Sequence, residues 1–117
     1  EINISGDGSD RLDFTYINDL VKGIELIILK KEAQNETFNL TYGDSRSLAE
    51  MAKIMQENFK TLDIRYLPKD TLTPNRGTLS VEKAQTLLGF NPENPLEKGY
   101  VEYIDWYKDF YSSYQNQ

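Results

Sequence analysis

The sequence lacks two residue types altogether, because its 117 residues include no cysteine and no histidine. Without cysteine the chain has no disulfide framework, and without either residue it has no Cys/His zinc site. The missing histidine also excludes the Ser-His-Asp and Cys-His systems that activate a catalytic nucleophile. The absence of cysteine is typical of proteins kept in a reducing compartment, so we expect a cytoplasmic protein.

Long apolar runs are missing as well. No stretch approaches the ~20 apolar residues that a membrane-spanning helix needs. No basic segment followed by an apolar core marks a secretory signal. We therefore expect no association with a membrane.

Positive charge is scarce, since 13 lysines and arginines face 19 aspartates and glutamates, which gives a net charge of −6. This negative mean field repels phosphate backbones, so we expect no nucleic-acid partner, although one local basic site stays open. Hydrophobic residues make up only 38% of the chain, and 8 of them are tyrosines. The length suits one modest domain.

Extended and helical patterns alternate along the chain, which predicts an α/β arrangement. Short stretches rich in β-branched and aromatic residues predict strands at 14–17, 37–42 and 63–67, after a short extended start at 2–4. Apolar residues at helical spacing predict helices at 19–31, 48–59, 81–88 and from 95 onward.

Local signals mark the ends of these helices. Ser47 and Glu50 have the spacing of a capping box, and Gly89 has the position of a residue that ends a helix in the left-handed conformation. Asp19, or the asparagine before it, is interpreted as a helix cap and not as a site residue. Asn94 and Pro95 predict a cap followed by the first residue of the last helix.

The first predicted helix is apolar on two sides. Its main stripe comprises Ile17, Leu20, Val21, Ile24 and Ile28, and Leu26 and Leu29 lie on another side. A helix that is apolar on two faces needs cover on both, so this pattern favours a chain built to pack against something larger. A compact domain whose other helices cover both faces is the alternative. Surplus apolar surface also predicts self-association.

The sequence contains no self-sufficient catalytic arrangement. Gly6 and Gly8 begin a dinucleotide-binding fingerprint, but Arg11 stands where the third glycine is required. None of the 8 tyrosines is followed four residues later by lysine, so a Tyr-x-x-x-Lys pair is absent. Asp7, Asp10 and Asp13 do not have EF-hand spacing, and we expect no metal site.

Five stretches, taken in order, resemble one family. They are Gly6-Asp7-Gly8-Ser9 with 13–21, then Phe38-Asn39-Leu40 with Gly43, then 47–51, then Lys83-Ala84 with 87–90 and Pro92, and finally 95–99 with Trp106-Tyr107. Together they resemble the C-terminal part of the extended short-chain dehydrogenase/reductases, which are NAD-dependent nucleotide-sugar epimerases and dehydratases. The resemblance covers nearly the whole chain.

This resemblance implies that residues 1–117 form one substrate-binding segment, an α/β unit with a few short strands packed with about four helices. It implies a partner, an N-terminal Rossmann domain, which would carry NAD and the catalytic Tyr/Lys pair. The chain alone would then bind no cofactor and be inactive. Its ligand would be a nucleotide-sugar, with a UDP-sugar preferred.

The resemblance also implies ligand residues. The backbone at Asn3, Ile4 and Ser5 matches a segment that brackets the nucleotide base. Arg76 lies near the position of an arginine that pairs with the diphosphate, and a guanidinium fork suits phosphate oxygens. The alternative for Arg76 is an exposed loop residue.

The sequence departs from the family at the residue before Asp13. That position usually holds another arginine, whereas here it is Leu12, and Arg11 lies one step earlier. Arg11 substitutes for this family arginine if the turn is shifted by one residue along the chain. The sequence leaves open the sugar, the base and the choice among epimerisation, dehydration and decarboxylation. The alternative function is a non-enzymatic acidic module for protein interaction or ligand sensing.

Overall fold

The computed structural model describes residues 1–69, 72, 74 and 76–114. Within them, the helices are α1 (Ile17–Leu29), α2 (Leu48–Asn58), α3 (Glu82–Leu88) and α4 (Leu96–Tyr114), with a 3-10 turn at Lys31–Ala33. The strands are β1 (Ile2–Ser5), β2 (Arg11–Leu12), β3 (Arg46–Ser47) and β4 (Ile64–Leu67). The expectation of a few short strands packed with four helices is confirmed. None of the described helices combines the length and apolar character needed to cross a membrane.

Two separate two-stranded sheets hold the fold together. β1 pairs with β4 in parallel, from Ile2 opposite Ile64 to Ser5 opposite Leu67. β2 pairs with β3 antiparallel, with Arg11 opposite Ser47. Because β1 and β4 run in the same direction, their carboxyl ends meet at one edge, and ligand sites in α/β proteins form at such edges.

The apolar core is small. Its buried members are Ala33, Ala84, Leu88 and Phe90, and Leu26, Ile27, Phe38 and Leu40 pack against them. Gly23 lets α1 approach this core closely, since a Cβ there would lie 2.9 Å from Leu40 and 3.1 Å from Phe90. The core thus joins α1, α3 and the segment that follows the 3-10 turn.

Two local predictions are confirmed. The Ser47 hydroxyl accepts from the Glu50 N–H at 3.1 Å, and the Ser47 N–H donates to Glu50 Oε2 at 2.7 Å, which completes the capping box of α2. Gly89 ends α3 with φ +67°, a conformation that glycine adopts without strain. Both signals depend on neighbours within a few residues.

The prediction of a strand at 14–17 is wrong. Residues 13–16 belong to no strand, and α1 begins at Ile17. The strand in this region lies earlier, at Arg11–Leu12, where it finds β3 as a partner. A β-rich composition forms a ladder only beside a second strand, and 14–17 has none among the described residues. α1 also ends at Leu29, two residues before the predicted end.

The interpretation of Asp19 as a helix cap is wrong as well. Asp19 lies inside the first turn of α1 and is only 1% exposed. Its carboxylate accepts from the Glu93 N–H at 3.1 Å, from the Asn94 N–H at 2.9 Å and from Asn94 Nδ2 at 2.8 Å. The prediction of Asn94 as the cap of α4 is also wrong, because α4 begins at Leu96 and it is the Pro95 carbonyl that accepts from the Lys98 N–H at 3.0 Å and the Gly99 N–H at 2.9 Å.

Residues 37–42 were expected to form a strand, and this too is wrong for the described chain. The segment is extended and its exposure alternates, because Phe38 and Leu40 face the core while Thr37 and Asn39 face solvent. No backbone hydrogen bond joins it to another described residue. Only side chains tie it down, as when Asn39 Nδ2 donates to the Ser80 carbonyl at 3.0 Å. It is a strand-like segment without a ladder partner.

The apolar stripe of α1 faces solvent. Its exposed members are Ile28, at 76%, together with Ile17, Val21 and Ile24, and Leu29 on the other side of the helix is exposed as well. The described residues are also spread widely, with a radius of gyration of 17.3 Å, whereas compact domains of about 100 residues have about 13 Å. The alternative of a compact domain that covers both faces of this helix is therefore wrong.

Replacing Asp19 by alanine should destabilise the fold by roughly 2–4 kcal/mol, since two backbone N–H groups and an amide lose a charged acceptor away from water. Urea unfolding followed by circular dichroism measures the change. The matched control is Glu25→Ala, which removes an exposed carboxylate from the same helix. Equal loss in both variants would contradict a structural role for the Asp19 carboxylate.

Candidate functional site

A cleft of about 200 Å³ opens at the edge where β1 and β4 end. Its described lining residues are Ser5, Asp10, Arg11, Leu12, Leu48, Lys69, Pro74 and Arg76. Ser5 is the last residue of β1, and Lys69 follows β4 by two residues. The parallel pairing of these strands is what brings the two sides of the cleft together.

Arg11 is held in place on one wall of the cleft. Its Nε donates to Ser45 Oγ at 3.1 Å, and its Nη2 donates to the Ser45 carbonyl. Its Nη1 lies 3.8 Å from Glu50 Oε2. The Ser47 backbone N–H, followed by the Ser47 hydroxyl, lowers the pKa of Glu50, so this carboxylate stays ionised beside Arg11. About half of the Arg11 side chain remains exposed, so it can donate to a further partner.

Asp13 binds together three segments behind the cleft. Its Oδ2 accepts from the Thr41 hydroxyl at 2.9 Å and from the Leu79 N–H at 3.1 Å, and its Oδ1 accepts from the Gly43 N–H at 3.1 Å. One carboxylate thus links the end of β2 to the extended segment and to the stretch before α3. Asp13 organises the cleft and does not line it.

The segment that carries Arg76 is fixed by a second contact. The Thr78 hydroxyl donates to Ser45 Oγ at 2.8 Å and accepts from the Ser45 N–H at 3.1 Å. Because Ser45 also holds Arg11, this buried serine links Arg11 to Thr78. Arg76 itself is exposed, two residues before this anchor.

Lys69 lies on the wall formed by β4. Its Nζ donates to Asp10 Oδ1 at 2.7 Å. This hydrogen bond is the main cause that raises the pKa of Lys69 above its ordinary value, so the ammonium is charged throughout the physiological range. Among the described residues that line the cleft, Lys69, Arg11 and Arg76 are cationic and Asp10 is the one carboxylate, while Glu50 lies behind Arg11. The chain as a whole has a net charge of −6.

The structure brings together three of the five residues expected to bind substrate, namely Ser5, Arg11 and Arg76. It does not bring Asn3 and Ile4 to the described wall of the cleft. Asn3 is exposed in β1, opposite Arg65, and Ile4 points into the core with 4% exposure. Any part these two play is limited to their backbone. The ligand roles of all five residues stay predictions.

Sequence reasoning missed Lys69 and Asp10. The signal for Lys69 was present, since it follows Pro68 directly after a predicted strand. The carboxyl ends of neighbouring parallel strands share one edge, but the sequence did not show that β1 and β4 are neighbours. The ion pair between Lys69 and Asp10 joins residues 59 positions apart, which no local pattern reveals.

This arrangement is suited to binding an anion. Two guanidinium groups and an ammonium supply donors that match phosphate or carboxylate oxygens. Among the described residues, no group of three or more aspartates and glutamates is placed to hold a metal ion. The cleft offers recognition and orientation, and its described lining has no acid–base pair placed for proton transfer.

Comparisons of sequence identify relatives of known class, although no family model matches the chain. It is 27% identical over 111 residues to an uncharacterised UDP-glucose epimerase of Bacillus subtilis, covering 94% of this chain and 35% of that protein. It is 29% identical over 107 residues to UDP-glucuronic acid decarboxylase 1 of Danio rerio, covering 91% and 25%. The chain therefore spans about one third or less of these relatives.

Comparisons of structure agree. An epimerase from Methanothermobacter thermautotrophicus superposes with a TM-score of 0.88 at 27% identity, over 98% of this chain and 35% of that one. The UDP-glucuronic acid 4-epimerase from Bacillus cereus, in complex with UDP-glucuronic acid and NAD, gives 0.81 at 25% identity, over 92% and 35%. The shared fold is again limited to about one third of each neighbour.

Replacing Asp10 by asparagine should lower the pKa of Lys69 toward the ordinary lysine value, because the charged acceptor of its hydrogen bond is lost. The raised value means that this pair stabilises the fold at pH below the ordinary lysine pKa. The contribution disappears as the pH rises through the raised value. NMR titration of the Lys69 side chain measures the shift, and an unchanged midpoint in Asp10→Asn would contradict the pairing.

Proposed function

We propose that this chain is the nucleotide-sugar-binding segment of an NAD-dependent epimerase or dehydratase. It resembles the C-terminal part of the extended short-chain dehydrogenase/reductases in both sequence and fold. The observation that carries this proposal is the basic cleft at the carboxyl edge of β1 and β4, where Arg11, Lys69 and Arg76 converge. A UDP-sugar is the proposed ligand.

The diphosphate of such a ligand suits the cleft by charge and by geometry. The hydrogen bonds from Arg11 to Ser45 fix the orientation of its guanidinium group. Little side-chain entropy is therefore lost when Arg11 binds phosphate oxygens. Lys69 exchanges or shares its bond to Asp10, and Arg76 closes the outer side. Arg11 takes the part that the family gives to the position now held by Leu12.

The nucleotide base belongs beside the end of β1 in this proposal. Ser5 lies at the cleft, and the backbone turns sharply after it at Gly6, whose φ is +81°. A left-handed residue at this point is readily supplied by glycine. Backbone groups at the strand end are therefore directed at the ligand, while the Ile4 side chain anchors the strand in the core.

The unsatisfied surfaces of the chain support a missing neighbour. The extended segment 37–42 has backbone groups without a partner among the described residues, and α1 presents exposed Ile24 and Ile28 beside it. An extended segment with unpaired backbone groups and an exposed apolar helix face are surfaces that a larger sheet domain can cover. We propose that this neighbour is the N-terminal Rossmann domain that the family resemblance implies, since this chain spans only 35% of the Bacillus subtilis relative.

The reaction itself is proposed to lie on that neighbour. NAD supplies hydride chemistry when bound there, and the Tyr/Lys pair absent from this sequence would handle the proton. This chain contributes affinity for the sugar nucleotide and holds it in register for reaction. The proposed compartment is the cytoplasm, and the reaction is epimerisation, an isomerase activity, or dehydration or decarboxylation.

The chain should bind UDP more tightly than uridine. The variants Arg11→Ala and Arg76→Ala should each weaken UDP binding roughly tenfold, because each loses a charge-assisted contact to phosphate. Isothermal titration calorimetry at low salt measures both effects. The matched control is Arg65→Ala, which removes an arginine whose ion pairs are with Glu1 and Asp63, outside the cleft. Equal affinity for UDP and uridine would contradict the diphosphate assignment.

The chain alone should not turn over UDP-glucose or UDP-glucuronic acid in the presence of NAD, since it has neither a glycine-rich loop nor a Tyr-x-x-x-Lys pair. NMR of the sugar anomeric signals detects epimerised or decarboxylated product. A chimera that joins this chain to the N-terminal two thirds of a relative should restore turnover. Product formed by the isolated chain would show that the catalytic groups lie here.

A further inference from the structure

Asp10 occupies an unexpected position for a residue of an anion-binding cleft. Its carboxylate belongs to the described lining together with Arg11 and Lys69, and its Oδ1 accepts from Lys69 Nζ at 2.7 Å. Cations attract a phosphate, and a carboxylate at the same surface weakens that attraction. Specificity often depends on such a repulsive element, which excludes a competitor more strongly than the preferred ligand. Asp10 therefore has the chemistry of a residue that selects among anions.

The backbone and the partner of Asp10 hold its charge in place. Its carbonyl accepts from the N–H of Leu48, the first residue of α2, at 3.0 Å. The stem of Lys69 crosses the turn after β1, where a Cβ added to Gly6 would lie 3.5 Å from Lys69 Cδ. Only 29% of the Asp10 side chain is exposed. Because a partly buried charge is screened less than an exposed one, this carboxylate acts on a ligand bound in the cleft.

Two further carboxylates lie near the cations of the cleft, but neither belongs to its described lining. Glu50 accepts from the N–H and the hydroxyl of Ser47, as part of the capping box of α2. Asp7 accepts from the N–H and the hydroxyl of Ser9 within its own turn. Of the carboxylates in the described part of the chain, Asp10 is thus the one that faces a bound anion.

A free nucleoside diphosphate and its sugar ester differ in charge at the terminal phosphate. In the ester the sugar occupies one terminal oxygen, so that phosphate keeps a single ionisable oxygen. Without the sugar, a terminal phosphate carries about 1.5 to 2 negative charges at neutral pH. A cleft lined by cations alone would favour the more highly charged free nucleotide. A fixed carboxylate in the same cleft opposes this preference, since it repels the additional charge.

We infer that Asp10 is a specificity-determining residue, which makes the cleft prefer a nucleoside diphosphate esterified to a sugar over the free nucleoside diphosphate. The inference rests on the proposed function, because it takes the cleft of Arg11, Lys69 and Arg76 as the diphosphate site. The cations supply the attraction that both ligands share. Asp10 reduces the extra attraction that only the free nucleotide would gain, so free nucleotide competes poorly for the site.

Isothermal titration calorimetry with UDP-glucose and UDP, at neutral pH and low salt, tests this inference. Asp10→Asn should shift the ratio of the two affinities toward UDP by about fivefold, because the repulsion of the extra charge is lost. Asp10→Glu keeps the charge and should keep the wild-type ratio. The matched control is Asp63→Asn, which removes the same charge at the opposite end of β4, where Asp63 Oδ2 accepts from Arg65 Nε at 3.1 Å. This control should leave the ratio unchanged.

The two possible failures are distinguishable. If wild-type chain binds UDP and UDP-glucose but Asp10→Asn shifts their ratio no more than Asp63→Asn does, the inference is overturned and the proposed function stands. An equal shift in Asp10→Asn and Asp10→Glu would also overturn it, because charge would not be the cause. If wild-type chain binds neither ligand more tightly than uridine, the proposed function is overturned and the inference with it. A ratio of affinities does not depend on the folded fraction, so a partial loss of fold leaves the comparison valid.

Discussion

The parallel hydrogen bonding of β1 with β4 is the interaction on which the cleft depends. It begins where the Ile2 N–H donates to the Asp63 carbonyl at 2.8 Å and ends where the Gly6 N–H donates to the Leu67 carbonyl at 2.9 Å. A two-stranded sheet is weak by itself, so this one also depends on the burial of Ile4, which is 4% exposed. The ligand wall and the proposed diphosphate contacts all begin where these strands end.

Two carboxylates, the half-buried Asp13 and the buried Asp19, perform much of the structural work that apolar packing performs in larger domains. Asp13 joins three segments and Asp19 joins α1 to the start of α4. Such groups are stable away from water when all of their oxygens accept hydrogen bonds, and each of these two carboxylates accepts three. The small apolar core therefore suffices to hold the body together while the exposed stripe of α1 remains available to a neighbour.

Features set by near neighbours were predictable from the sequence, and features set by distant contacts were not. The capping box at Ser47 and the glycine end of α3 involve only a few adjacent residues, and both were predicted. Asp19 was misinterpreted because its partners lie 74 and 75 positions away. The segment 37–42 has a strand's composition, but a ladder also needs a partner strand. For the cleft, the resemblance indicated Arg11 and Arg76, while Lys69 required knowledge of which strands are adjacent.

The long separation between Asp19 and the Glu93–Asn94 turn has a kinetic consequence. Contacts this far apart in sequence form only after a large loop has closed, and chains dominated by such contacts fold slowly. Until that closure, α4 has no anchor at its first turn, and its side chains Leu96 and Ile104, which are buried in the folded chain, meet water. The newly made polypeptide therefore passes through a period in which apolar surface is exposed. Chaperones that cover such surface act mainly during this period.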